Sequence, residues 1–353
     1  MKIVTAFDSF KGCMTAAQAC CAAQEGIRQE YPHAHVVNIP LSDGGEGLIE
    51  CISQVLPVSM REVTVHGPLM MPVTARYAIS NDGETAYMEM AQAAGLTLVP
   101  LDKRNPMLTT TYGVGEMILD AVSNGCRHII MGIGGSATCD GGMGMVDCLQ
   151  EKGIIGLQEF HVTVASDVSN PLCGELGAAH VFGPQKGATP EQVILLDERL
   201  RLFAAETAKR GTAPLDLMDK PGAGAAGGLG YGLMAYLNAR ICSGIELVLD
   251  TLDFDSRISG ADLVITGEGK SDRQTLMGKV AAGVLARAQK HGIPCALLSG
   301  QIEDQAELLA AGFATVRSIH EGDNRPNSEL MERTVSMQHI ASSVKMILSQ
   351  LDC

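Results

Sequence analysis

Apolar residues fall into two alternating kinds of segment: short solid runs of strand length, and longer stretches where they recur every three or four positions. Residues 2–6 form the first run and 36–39 the second. Between them, Cys20, Ala23, Ile27 and Tyr31 mark one face of a helix whose start carries Thr15 and Gln18 at capping-box spacing. Another helix follows the glycine-rich residues 41–47. Strand, helix, strand, helix is how a parallel sheet opens, because parallel neighbours need a crossover of helix length.

From about residue 61 the pattern changes. Residues 63–65, 73–79 and 85–90 alternate in shorter segments and predict antiparallel strands. Residues 91–96 begin a small-residue segment, and residues 109–115 run into a helix that stops near Asn124 and Gly125. A central apolar strand then breaks into the glycine loop 132–142, followed by a helix to about Lys152 and a strand over 161–165. Thr189, Pro190 and Gln192 form a strong helix start, with Val193, Leu196, Leu200 and Phe203 as the apolar face. Residues 221–239 carry no charge, but their glycines predict a loop and a short buried helix rather than a lipid-embedded one. Strands return at 261–266, 293–298 and 314–319, with helices at 279–291 and 304–311 and a final amphipathic helix over 328–351.

The two ends of the chain thus share a pattern that the middle lacks. The predicted fold is α/β with two domains. Residues 1–60 and 250–353 form a flavodoxin-like, doubly wound parallel-sheet domain, and residues 61–249 form an inserted α/β domain carrying glycine-rich loops.

With 353 residues and 46% hydrophobic content the chain can bury a sizeable core. Its 40 glycines mean many tight loops, and the absence of Trp leaves little surface for stacking bases. A formal net charge of −14 argues against nucleic acid or an anionic membrane as partner, since both need a basic footprint. Small molecules are the expected partners, and self-association into a homo-oligomer is left open. Eleven cysteines without a C-x-x-C pair, and no leader ahead of the first strand, predict free thiols and a cytoplasmic location. His33 and His35 read as a surface pair, so a zinc site is not expected.

Ligands of doubly wound sheets bind at the carboxyl ends of the strands. The segments there are 8–11, 43–46, 268–272 and 299–300, which bring acids, lysines and glycines to one edge. Phosphoryl transfer needs an anion cradle, a cation, carboxylates for Mg²⁺ and a group to orient or deprotonate the attacking hydroxyl. The loops 132–142 and 222–230 are the candidate phosphate cradles, with the N-terminus of the helix after the first adding partial positive charge. Packing of a helix on a strand explains such glycines equally well. Lys11, Lys186 and Lys270 are candidate cations, and Asp43, Asp167, Glu268 and Asp272 are candidate metal ligands or bases. Each of these acids also suits a helix cap or a turn. Ser9, Ser136 and Thr138 are candidate phosphate-binding hydroxyls, with the same alternative. The P-loop sequence and the G-x-S-x-G elbow are both absent, and the first βα turn lacks G-x-G-x-x-G.

Several motifs together carry a family resemblance. Asp8-Ser9-Phe10-Lys11, residues 42–47, 132–138 with 140–142, Asp167-Val168 with Asn170-Pro171, 181–190, 221–230 and 265–269 resemble, in order and nearly end to end, the bacterial glycerate kinases that form 2-phosphoglycerate. The resemblance implies ATP-dependent phosphorylation of D-glycerate, a requirement for Mg²⁺, and two α/β domains with the active site in the cleft between them. In that frame Lys11, Asp43, Asp167 and Lys186 are assigned to catalysis, and Ser9 and Lys270 to substrate. Gly132, Gly134, Gly135, Ser136, Thr138, Gly222, Gly224, Gly227 and Gly228 are assigned to the nucleotide phosphates, and Glu268 and Asp272 to the metal. The chain departs from the family pattern at Cys139, Gly12-Cys13 and Ser166, and in the short connection 153–159. The shortening keeps two further readings open: a kinase for a related small hydroxy acid, and a catalytically silent ligand sensor. A nicotinamide dehydrogenase would use Gly132, Gly134 and Ala137, but no acid follows at the distance its ribose needs.

Overall fold

The first apolar run becomes a central strand because it is buried on both faces, as expected for a parallel sheet covered by helices. The structure is a computed structural model, and it describes residues 1–154 and 160–351. Its strands in chain order are β1 (Lys2–Phe7), β2 (His35–Asn38), β3 (Val58–His66), β4 (Pro72–Ser80), β5 (Thr85–Glu89), β6 (His128–Gly132), β7 (His161–Ala165), β8 (Arg240–Cys242), β9 (Leu263–Gly267), β10 (Lys270–Ser271), β11 (Cys295–Ser299), β12 (Gln301–Ile302) and β13 (Thr315–Ser318). The chain divides into two compact units.

One unit comprises Met1–Asp43, Glu50–Leu56 and Ile245–Cys353. Its five-stranded sheet has the order β13-β11-β9-β1-β2, and every pairing is parallel. This is the flavodoxin-like order, in which strand succession reverses between β1 and β9. The helix Ala16–Glu30 starts with the expected capping box of Thr15 and Gln18. It packs against the C-terminal helix Arg333–Leu351, and Ile3, Phe7, Ile27, Leu298, Ile340 and Leu348 belong to the core between helices and sheet. The single final helix expected over 328–351 is in fact broken into Asn327–Leu330 and Arg333–Leu351. Ser336 Oγ donates to the Leu330 carbonyl at 2.7 Å across the break, giving that carbonyl a partner outside the short piece.

The other unit comprises Gly44–Ile49 and Pro57–Gly244. Its sheet has the order β3-β4-β5-β6-β7-β8. β3, β4 and β5 pair antiparallel, as the alternation predicts, and β5 to β8 continue as a parallel half. Met88, Ile118, Met131, Val164 and Leu233 belong to its main core. The helix Pro190–Lys209 carries the expected Thr189 and Gln192 box with proline in its first turn. Residues 221–239 form the loop and short helix expected of them, the helix being Leu229–Leu237. Among the described residues no helix is long and apolar enough to cross a membrane, and ten cysteines are free thiols. The short connection 153–159 lies mostly outside the described residues.

Candidate active site

In the unit with the parallel sheet, a cavity of about 580 Å³ opens along the carboxyl edge of the strands. Asp8, Ser9 and Lys11 follow β1, Asp43 follows β2, Glu268, Gly269 and Lys270 follow β9, and Gly300 and Gln301 follow β11, and all of them line it. The strand-end assignments Ser9, Lys11, Asp43, Glu268 and Lys270 therefore meet in one place. The reversal of strand order between β1 and β9 explains the opening, since crossover connections leave the sheet edge in opposite directions there.

The loop after β1 is locally closed. Phe10 and Met14 exchange backbone hydrogen bonds at 2.9 and 3.0 Å, and Gly12 takes φ +79°, which leaves Lys11 at an exposed tip. The Asp8 amide donates to the Gly267 carbonyl at 2.9 Å, and its carboxylate Oδ1 accepts from the Ser9 amide at 2.6 Å. Asp8 is 8% exposed. Burial, reinforced by the charge of Asp43 and more weakly of Glu268, pushes its carboxyl up to about 7, against the opposing pull of the Ser9 amide and Lys11. Glu268 is anchored from below: its Oε1 accepts from Thr275 Oγ1 at 2.7 Å and Ser271 Oγ at 3.0 Å. Lys270 Nζ pairs with Glu303 Oε1 at 2.9 Å, and that hydrogen bond raises the lysine's pKa.

Asp272 is placed differently from its partner in the expected metal pair. It lines a neighbouring depression that shares Lys279 with the cavity; its Oδ1 accepts from the Gln274 amide at 2.8 Å as the cap of the short helix Arg273–Leu276, and its Oδ2 lies 3.9 Å from Lys270 Nζ. The cavity also recruits Asp8, which the sequence placed at the strand edge without a role, and residues that the sequence did not single out, among them Lys279, Gln301, His320, Asp323 and Asn327. Asp8 had a signal, its place directly after the first strand. Gln301 had the same signal, following β11, whereas Lys279, His320, Asp323 and Asn327 come from loops and a broken helix whose approach to the edge no local pattern encodes.

The remaining assignments lie in the other unit. Lys186 is 3% exposed, and its Nζ donates to Ser136 Oγ and to the Thr138 carbonyl, both at 2.7 Å. Burial lowers its ammonium to about 8, opposed by Cys139 and Asp140. Thr138 Oγ1 is buried without a hydrogen-bond partner among the described residues. The N-terminus of the helix Met143–Glu151, expected to face a phosphate, is capped from inside. Asp140 Oδ1 accepts from the Gly142 amide at 3.1 Å, and Oδ2 from the Gly144 amide at 3.2 Å and from the Thr111 amide and hydroxyl at 2.8 Å. That internal carboxylate takes the place on the helix end that an anionic ligand would need. Gly132, Gly222, Gly224, Gly227 and Gly228 are buried, and a Cβ on Gly227 would stand 1.9 Å from the Thr138 carbonyl oxygen. Loop-on-loop packing thus accounts for these glycines, whereas Gly134 and Gly135 are exposed. Asp167 is exposed, with Oδ1 accepting from the Gly244 amide at 3.0 Å.

A flavodoxin-like sheet with a lysine- and acid-lined cavity at its switch point, in a chain that also carries glycine loops, defines an α/β protein suited to a small anionic ligand. The glycerate kinase family model matches residues 3–154 and 150–349, and the chain belongs to that family. The matched stretches meet at 150–154, beside the short connection. A glycerate kinase of Halalkalibacterium halodurans is 45% identical over 377 aligned positions, spanning 97% of this chain and 98% of the relative. The glycerate 2-kinase of Escherichia coli K12 is 43% identical over 350 positions, spanning 90% and 91%. A crystal structure from Salmonella typhimurium LT2, described as glycerate kinase 2, superposes with a TM-score of 0.86 at 37% identity and covers 100% of this chain and 98% of its own.

Proposed function

We propose that the protein is an ATP-dependent glycerate 2-kinase that converts D-glycerate to 2-phosphoglycerate, with the cavity at the β1/β9 switch point holding reacting groups. The observation that carries this reading is the convergence of Lys11, Lys270 and Lys279 with Asp8, Asp43 and Glu268 in one cavity of a chain from the glycerate kinase family. Lysines at such an edge hold a carboxylate or a transferring phosphoryl group, and carboxylates handle the metal and the proton. Lys11, exposed at a loop tip, is the cation freest to follow the phosphoryl group.

Mg²⁺ is usually bound through one or two carboxylates together with substrate phosphate oxygens. Asp43 and Glu268 fit that need, because they line the cavity and their charges already press on Asp8. Bound there, the ion would neutralise phosphate charge. Asp272 is the second choice for the ion, since its Oδ1 caps a short helix and its Oδ2 lies 3.9 Å from Lys270 Nζ. Gly134 and Gly135 are retained as the nucleotide-contacting part of their loop, with Ser136, Thr138 and Lys186 shaping it from beneath. An ADP-release assay with Mg·ATP and D-glycerate, with the product identified by NMR, tests the reading: 2-phosphoglycerate is expected. Silence with glycerate alongside turnover of another hydroxy acid would reassign the substrate.

A further inference from the structure

Four carboxylates line the cavity at the switch point, and their surroundings differ; Asp323 is paired with Arg325 at 2.6 Å. Glu268 has one oxygen tied by two hydroxyl donors, Thr275 Oγ1 and Ser271 Oγ, which fix that oxygen in place. Asp43 is half-buried and already engaged by a neighbour. Asp8 is almost as buried as Glu268, and its carboxylate is held by a single backbone amide. Its Oδ1 is oriented by the Ser9 amide at 2.6 Å, and among the described residues its Oδ2 has no hydrogen-bond donor while the side chain lines the cavity. One oxygen fixed and the other free is what a proton acceptor needs, because the first sets direction and the second receives. The backbone beneath is rigid, with the Asp8 amide extending the pairing of β1 with β9. Lys11, three residues on in the same closed loop, lines the same cavity.

We propose that Asp8 is the catalytic residue that accepts the proton of the substrate hydroxyl during phosphoryl transfer, an inference that rests on the kinase reading above. In the step, the 2-hydroxyl oxygen of glycerate forms a bond to the γ-phosphorus of ATP while the bond from that phosphorus to the bridging oxygen breaks. The bridging electron pair leaves with ADP, and the hydroxyl proton passes to Asp8 Oδ2, from which it returns to solvent after product release. No other reactant is needed.

The test uses the full chain with Mg·ATP and D-glycerate, comparing wild type with Asp8→Asn and Asp8→Glu. Asparagine keeps the shape and cannot take the proton. The expected result for Asp8→Asn is a fall in kcat of about 10²–10⁴-fold, with KM for both substrates and the Mg²⁺ concentration for half-activation within about threefold of wild type. Asp8→Glu, with the carboxylate displaced but present, should recover at least about tenfold over Asp8→Asn; failure to exceed it overturns the proposal. If Asp8→Asn retains kcat within tenfold of an active wild type, or if excess Mg²⁺ restores it, the proposal falls and the second outcome makes Asp8 a metal ligand. A wild type silent toward glycerate overturns the kinase reading and this proposal together, so the two failures are told apart by the wild-type lane. Should Asp8→Asn fail to fold, Asp8→Glu carries the comparison: unchanged kcat there overturns the proposal, and a loss of about tenfold or more at unchanged KM supports it.

Discussion

Lys186 Nζ lies 2.7 Å from Ser136 Oγ and 2.7 Å from the Thr138 carbonyl oxygen, and almost none of the side chain reaches solvent. Its ammonium fills the underside of the glycine loop. Replacing it with methionine leaves two buried polar atoms without their donor, offset in part by relief from burying a charge. Lys186→Met should therefore lose about 1–2 kcal/mol at pH 7, measured as a lower urea midpoint, along with activity. The pH dependence has a definite sign. The folded-state value of about 8 lies below the ordinary 10.5, so the folded protein binds fewer protons between the two and gains stability as pH rises through that window. The deficit of Lys186→Met should widen between pH 8 and 10.5 and stay level below 8.

Lys11 should behave in the opposite way. It is exposed and in no ion pair among the described residues, at the tip of a loop closed by backbone bonds between Phe10 and Met14. Surface substitutions of this kind change stability by within about 0.5 kcal/mol. Loss of a cation facing a developing phosphoryl charge costs on the order of 10²–10³-fold in turnover. Lys11→Met should thus unfold with wild type in urea and turn over at least about 10²-fold more slowly. Normal turnover would remove Lys11 from the chemistry.

Gly26 sets how closely the helices Ala16–Glu30 and Arg333–Leu351 approach, because a Cβ there would meet the Ala341 carbonyl oxygen at 2.3 Å. Alanine would gain about 1 kcal/mol of helix propensity. Overpacking against backbone costs about 1–3 kcal/mol, and the obstacle here cannot rotate away. Gly26→Ala should lower the thermal midpoint and Gly26→Val should lower it further, with kcat unchanged in the folded protein. A Gly26→Ala variant more stable than wild type would show that the helices separate at little cost.

These contrasts mark what the sequence makes legible. Capping boxes at Thr15 and Thr189 are local, so spacing alone finds them. The strand-end acids and lysines were legible because parallel topology brings every loop after a strand to one edge, which is how Ser9, Lys11, Asp43, Glu268 and Lys270 come to share a cavity. Roles within such loops were not, since a cap and a ligand use the same residue types: Asp140 gives both oxygens to backbone amides, and Asp272 gives one to the Gln274 amide while the other pairs with Lys270. His320, Asp323 and Asn327 reach the cavity from residues distant in sequence, and no periodicity reports that approach. The glycines from Gly222 to Gly228 look alike in sequence to a phosphate cradle, and no sequence pattern reports that a Cβ on Gly227 would stand 1.9 Å from the Thr138 carbonyl oxygen or one on Gly224 2.2 Å from that of Pro171.

Asp8 offers a prediction in which loss of activity and gain of stability go together. Its carboxyl stands at about 7 in the folded protein and at the ordinary 3.8 once exposed, so the folded state holds a proton that the unfolded chain has lost. The group's contribution is fully present below the unfolded value and is lost as pH rises through the folded value. Three pKa units correspond to roughly 4 kcal/mol, an upper figure for the cost of ionising Asp8 in metal-free protein at alkaline pH. Asp8→Asn removes that cost. Urea midpoints measured with EDTA should be close for the two proteins at pH 4 and diverge in favour of the variant by pH 8, while the variant's turnover stays low throughout. A variant less stable than wild type at pH 8 would instead mean that the ionised carboxylate holds the loop together, and that its place beside Asp43 and Glu268 is structural.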